Sequence, residues 1–273
     1  MLSKIEARTN QGALLSLLLA DASSGIEVRD VKGLDPVPAN LVSSSFASLD
    51  GEQFQSSRRE KRNIVLTLGL EPDWAQTTVG QLRAQLYKFF MPKNDSTLRF
   101  YTDDFPVVDI LGTVETFDCP LFVKDPEATI SLICFDPDFY TPTALQFAGN
   151  TTSGSTSQAV QYDGTVDTGV LITVNVNRTM AGFTVNVQPD GDVIHSMQFT
   201  AALVAGDVVQ ISTVPGNKFA TLTRAGVQSS LLYGISPTSE WTALQPGNNA
   251  FWINASGSAV PFTVQYTEKI GGL

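Results

Sequence analysis

Apolar and polar positions alternate along most of this chain. Gly25-Ile-Glu-Val-Arg-Asp-Val31 alternates apolar and charged side chains, and Arg62-Asn-Ile-Val-Leu-Thr-Leu-Gly-Leu70 places Ile64, Leu66 and Leu68 on one face. That period predicts half-buried strands. Leu98–Tyr101, Val107–Phe117 and Ala128–Phe135 repeat the pattern. Ala13-Leu-Leu-Ser-Leu-Leu-Leu-Ala20 reads as a buried strand: it is far short of a bilayer span, and Glu6 sits where a signal peptide would be basic. A helical period occurs once. Thr78-Val-Gly-Gln81 has the form of a capping box, Leu82, Leu86 and Phe89 or Phe90 follow at helical spacing, and Pro92 stops the run, which predicts a helix over 78–91.

From about residue 143 short strands follow one another without a helix, near 158–163, 168–176, 181–188, 193–201, 206–213, 217–223, 248–254 and 259–267. Asp163-Gly164, Asp190-Gly191 and Pro215-Gly216-Asn217 punctuate them, which predicts an antiparallel sandwich or jelly roll. Gly149–Ser157 is small and polar throughout and reads as a linker or long loop. The fold class expected is mainly β.

Charge divides the chain at the same place. Residues 1–142 carry 33 of the 44 charged side chains. We therefore expect two domains, 1–142 with the helix and 143–273 as the sandwich. The second holds too few ionisable groups for most active sites. A net charge of −10, shared by both halves, opposes binding of nucleic acid by the chain as a whole.

Candidate chemistry is sparse. His195 is the sole histidine, so no histidine-based triad with a second base is available, and it reads as structural. Asp103, Asp104, Asp109, Glu115, Asp118 and Asp125 have no spacing that singles out a catalytic pair. Asp136-Pro-Asp138 lacks the rest of a calcium loop, and P-loop, dinucleotide and HExxH motifs are missing. Cys119 and Cys134 read as buried small hydrophobes. No catalytic residue, cofactor or metal is expected. Trp241, Trp252, Tyr233 and Tyr266 are sandwich aromatics that could pack in the core or, alternatively, form a sugar-stacking platform. The basic run Arg58, Arg59, Lys61 and Arg62 follows Gln53–Ser57 in what reads as a long loop or hairpin arm. It is the candidate for contact with the acidic surface of an identical neighbour, as in a ring closed by rotation.

The order of several segments resembles the distal tail proteins (Dit) of long-tailed, non-contractile bacteriophages. These are Gly25–Val28, Val31–Pro36, Arg62–Leu68, Leu82–Tyr87, Gly112–Glu115, Ile130–Tyr140 and Glu240–Asn249. The resemblance implies an amino-terminal sheet or barrel with one helix that forms a ring, typically a hexamer, and a galectin-like carboxy-terminal sandwich. It implies a virion component at the tail tip, made in the host cytoplasm. The ring joins the tail tube protein to the tail-tip or tail-fibre protein and lets DNA through its lumen, with no membrane partner. It carries no catalytic residue. The alternative from another class is a carbohydrate-binding adhesion module.

Overall fold

A computed structural model describes residues 1–19, 21–47, 50–120 and 123–273. The chain forms two compact units, Met1–Pro142 with Ile270–Leu273, and Thr143–Lys269.

The first unit contains β1 (Leu2–Thr9), β2 (Leu14–Leu18), β3 (Ile26–Lys32), β4 (Ala39–Ser45), β5 (Glu52–Arg59), β6 (Arg62–Leu70), α1 (Val79–Phe90), β7 (Asp95–Thr102), β8 (Val108–Asp118), β9 (Glu127–Cys134) and β10 (Phe139–Tyr140). One antiparallel sheet runs in the order β2-β1-β7-β8-β9-β6-β3, and a bridge between Leu19 and Val28 joins its two end strands. The sheet thus closes on itself, which leaves few unpaired edges. Inward positions alternate as the sequence predicts: Ile5 and Ala7, Leu98 and Phe100, Ile64, Leu66 and Leu68 are all buried. On β2 the alternation leaves Leu15 and Leu17 inside and Leu14 and Leu18 out, so that segment is half-buried rather than wholly buried. Ala20, the last residue of the expected strand, lies outside the described residues.

α1 begins as expected. The Thr78 hydroxyl accepts from the Gln81 amide, and the Gln81 side chain accepts from the Thr78 amide. Leu82, Leu86, Phe89 and Phe90 enter the same core as the sheet.

Outward positions of β1, β7 and β8 form a charge ladder, with Glu6 opposite Arg99 and Arg99 opposite Asp109. Arg99 holds Asp109 through two bonds of 2.6 and 2.7 Å, while Lys4 and Arg8 both reach Glu6 at 2.8 Å. Burial raises the Glu6 pKa, but the bonds from Lys4, Arg8 and Tyr101 outweigh it and bring it down to about 2. A shift of that size is worth roughly 3 kcal/mol. Because the folded pKa is the lower one, this stability is present above the ordinary glutamate range and is lost as pH falls toward 2. Glu6→Gln is therefore expected to be less stable than the parent at neutral pH. The difference should shrink between pH 4.5 and 2 in urea unfolding curves.

The second unit contains β11 (Leu145–Asn150), β12 (Gln158–Tyr162), β13 (Thr168–Asn175), β14 (Phe183–Pro189), β15 (His195–Phe199), β16 (Val208–Ser212), β17 (Phe219–Arg224), β18 (Val227–Ser230), a 3-10 turn at Leu232–Gly234, β19 (Ala243–Leu244), β20 (Gly247–Asn254) and β21 (Pro261–Tyr266). Two sheets, β11-β21-β13-β16-β17-β18 and β12-β20-β14-β15, bury Ile172, Val185, Ile211, Phe251 and Val264 between them. The expected linker is shorter than its composition suggested. Gly149 and Asn150 pair in β11, and the Thr151 and Thr152 amides bond the Val260 and Ile253 carbonyls at 2.9 Å. The second unit ends at Lys269, and Ile270–Leu273 return to the first, where β22 (Lys269–Ile270) pairs with β10, Ile270 joins the core and the Leu273 amide bonds the Leu34 carbonyl at 3.0 Å.

Candidate functional site

Among the described residues β4 and β5 pair only with each other, from Ala39 opposite Arg59 to Ser45 opposite Glu52. Neither strand contributes to a core. Every residue of β5 is exposed, as is all of β4 but Ser44. Serine and glutamine on both faces explain why this hairpin stands off the barrel: no apolar stripe is present to hold it down. Gly51, at φ 90°, supplies the left-handed conformation near the tip. A bulge between Val42 and Ser43 aligns the two strands so that Val42 and Asn40 stand opposite Ser56 and Arg58. Gln55 is the extra residue of the bulge, so Phe54 shares the Leu41 and Ser43 face while Ser56 and Arg58 share the Val42 face. Each face thus carries a large apolar side chain, and the cationic Arg58 stands at the root. Leu41, Val42, Phe46 and Phe54 are 66, 50, 52 and 62% exposed. A two-stranded hairpin alone in water is marginal, and one that exposes four large apolar side chains among its described residues is built for burial against something else.

The basic run divides. Arg58 and Lys61 are exposed. Arg59 grips the buried Asp138 carboxylate with two guanidinium nitrogens, one at 2.8 Å, and this bond raises its pKa despite burial. Below it the Glu60 amide closes the hairpin base on the Pro38 carbonyl at 3.0 Å. Arg62 turns inward and is 1% exposed. Its Nε donates to the Pro137 carbonyl at 2.7 Å, Nη1 to the Gly33 and Asp35 carbonyls at 2.6 and 2.7 Å, and Nη2 to the Gly271 carbonyl at 2.6 Å. Its guanidinium also stacks 4.4 Å from the centre of the Phe139 ring. Burial lowers its pKa, with Cys134 and Asp138 opposing. Gly33, at φ 86°, is needed for this convergence: a Cβ there would fall 1.9 Å from the Asn63 carbonyl oxygen. Arg62 therefore anchors the hairpin root within its own subunit, and Arg58 and Lys61 are the members of the run free to meet a neighbour.

The other candidate groups have partners of their own. Arg29 gathers Asp125 (2.8 Å), Glu127 and Glu71 (3.4 Å), and its bond draws the Asp125 pKa down. Glu115 accepts from the Ser131 hydroxyl at 3.1 Å. The His195 Nδ1 lies 2.7 Å from Glu240. Cys119 and Cys134 are free and buried, and burial pushes the Cys134 thiol up to about 12. The aromatic platform is not formed by the residues named for it. Trp241 is half-buried against the sandwich core with the Lys218 ammonium 5.4 Å from its ring, Trp252 is 6% exposed and Tyr266 is buried, so of the four only Tyr233 stands fully exposed.

Residues 163–269 match the model of the siphovirus-type tail component family SPP1_Dit, over its C-terminal domain. The match lies within the second unit. The fold of the chain is that of Dit: the crystal structure of SPP1 Dit, described there as a paradigm of the hub adsorption apparatus in phages that infect Gram-positive bacteria, matches with a TM-score of 0.69 and 15% identity over 97% of this chain and 98% of that one. The phage P2 baseplate, in its activated conformation with calcium, matches with a TM-score of 0.48 and 11% identity over the full length of both chains. Among curated protein sequences none matches. The hairpin is the feature that the sequence outlines only as an arm. Its exposed Phe54 and Leu41 were the available signals.

Proposed function

We propose that this protein is a structural hub of a phage tail tip or baseplate, located in the virion and performing no bond chemistry. Six copies close into a ring through the first unit. The ring joins the tail tube protein to the tail-tip or fibre protein, and DNA passes through its lumen without specific binding. The second unit is a galectin-like appendage. The observation that supports this reading best is the β4–β5 hairpin, a long arm with no core of its own, with a large apolar side chain on each face and a cationic root. Arg58 and Lys61 would face the acidic surface of the next copy. The net charge of −10 gives each copy such a surface. Shared fold with a hub protein adds to it. The carbohydrate reading is weakened by the burial of Trp252 and the packing of Trp241 against the sandwich core. Electron micrographs of the purified chain test the proposal: averaged end-on views are expected to show closed rings with an open centre, and a field of single compact particles would contradict it.

A further inference from the structure

At one end of the first unit, the β1–β2 turn, the last turn of α1 and the segment before β7 enclose an open cleft of about 620 Å³. Its polar lining includes Asn10, Gln11, Lys88, Lys93, Asn94 and Asp95. In a chain this acidic, two lysines in one cleft are notable, and among the described residues neither ammonium has an ion-pair partner. Lys88 also answers the negative end of α1. Asp95 is occupied by the Thr113 hydroxyl at 2.6 Å.

Lys93 sits where lysine is sterically disfavoured. Met91-Pro92-Lys93-Asn94 is a type II turn, with the Asn94 amide on the Met91 carbonyl at 3.0 Å and Lys93 at φ 75°. That position calls for glycine or asparagine. The turn is clamped by the Lys93 amide on the Val114 carbonyl and the Val114 amide on the Asn94 carbonyl, both at 2.9 Å. The fold therefore holds a strained backbone in place and presents an ammonium from it, as functional positions do.

We propose that this cleft receives the acidic hairpin tip, Asp50-Gly51-Glu52, of a second copy of the chain. The two sides match in charge. The amide side chains of Asn10, Gln11 and Asn94 both donate and accept, as an extended backbone requires. Tip and cleft are both exposed within one copy, so neither is filled by its own chain. At about 3.3 Å per residue an eight-residue strand reaches roughly 25 Å, enough to cross to a neighbour. Tip into cleft is a heterologous contact, repeated around a closed ring. A peptide suits the cleft better than a nucleic-acid backbone, because two cations beside Asp95 cannot neutralise a run of phosphates and the whole chain repels one.

The proposal rests on the ring reading, and charge reversal in the full chain separates the two. Light scattering over a dilution series gives the concentration at half-assembly. Lys88→Glu with Lys93→Glu, and separately Asp50→Lys with Glu52→Lys, should each raise it at least tenfold, and combining all four should restore most of the loss. Lys93→Gly should weaken assembly while leaving the melting temperature equal or higher, which a merely structural lysine would not do. If the parent assembles and the cleft variants assemble equally well, or the combined swap gives no rescue, the cleft is excluded and the ring stands. If the parent never assembles, the ring reading fails and this proposal with it. A DNA duplex that binds the parent and not the lysine-reversed variant would overturn the proposal in favour of phosphate recognition.

Discussion

Replacing Arg62 with methionine is expected to destabilise the first unit by about 3–5 kcal/mol, which for a unit of this size lowers the melting temperature by roughly 10 °C or more. Methionine keeps much of the volume and packing against Phe139. The loss therefore comes from the carbonyls of Gly33, Asp35, Pro137 and Gly271, which all give up their donor in a buried site. Lysine at the same position keeps the charge but not the planar fork, and cannot reach carbonyls arriving from three directions. Arg62→Lys should recover less than half of the loss. Ending the chain after Lys269 removes one of the four acceptors together with the buried Ile270 side chain. That truncation should cost stability by itself, and its effect should be smaller in the Arg62→Met background because the two share a bond. Circular dichroism melts of the single and combined variants check all of this. Equal melting temperatures for parent and Arg62→Met would remove Arg62 from the root of the hairpin.

Excising the hairpin should have the opposite profile. If residues 40–57 are replaced by a short Gly-Ser turn, Arg59, Asp138 and Arg62 keep their bonds and no core side chain is lost. The melting temperature should stay within a few degrees, as for surface changes elsewhere. Assembly should fail, because Leu41, Val42 and Phe54 leave with it, and burying each side chain of this kind is worth about 1.5–3 kcal/mol. The half-assembly concentration should rise at least a hundredfold. An excised variant that assembles like the parent would show that the ring closes elsewhere.

The elements legible in the sequence are those whose own side chains report them. α1 declares itself through Thr78, Gln81 and Pro92, and the sandwich strands through alternation against a buried core. β4 and β5 gave only the outline of an arm, because both faces meet solvent and no period survives. In sequence Arg62 belongs with Arg58 and Lys61 to one basic run. The strand period divides that run: Arg62 shares the face of Ile64, Leu66 and Leu68, so it points inward while Lys61 points out. Its partners remained hidden, since backbone carbonyls at 33, 35, 137 and 271 leave no trace in residue identity. The same holds for the return of Ile270–Leu273, which depends on contacts more than 200 positions apart. The cleft beside α1 was unreadable for a related reason: Lys93 marks it only through the sign of its φ.

Self-association carries the whole functional account, and mass in solution tests it most directly. Sedimentation velocity of the full chain at micromolar concentration and moderate salt is expected to give a single species near six times the 29.4 kDa subunit mass, dissociating on dilution. A species that stays at the subunit mass throughout would contradict it.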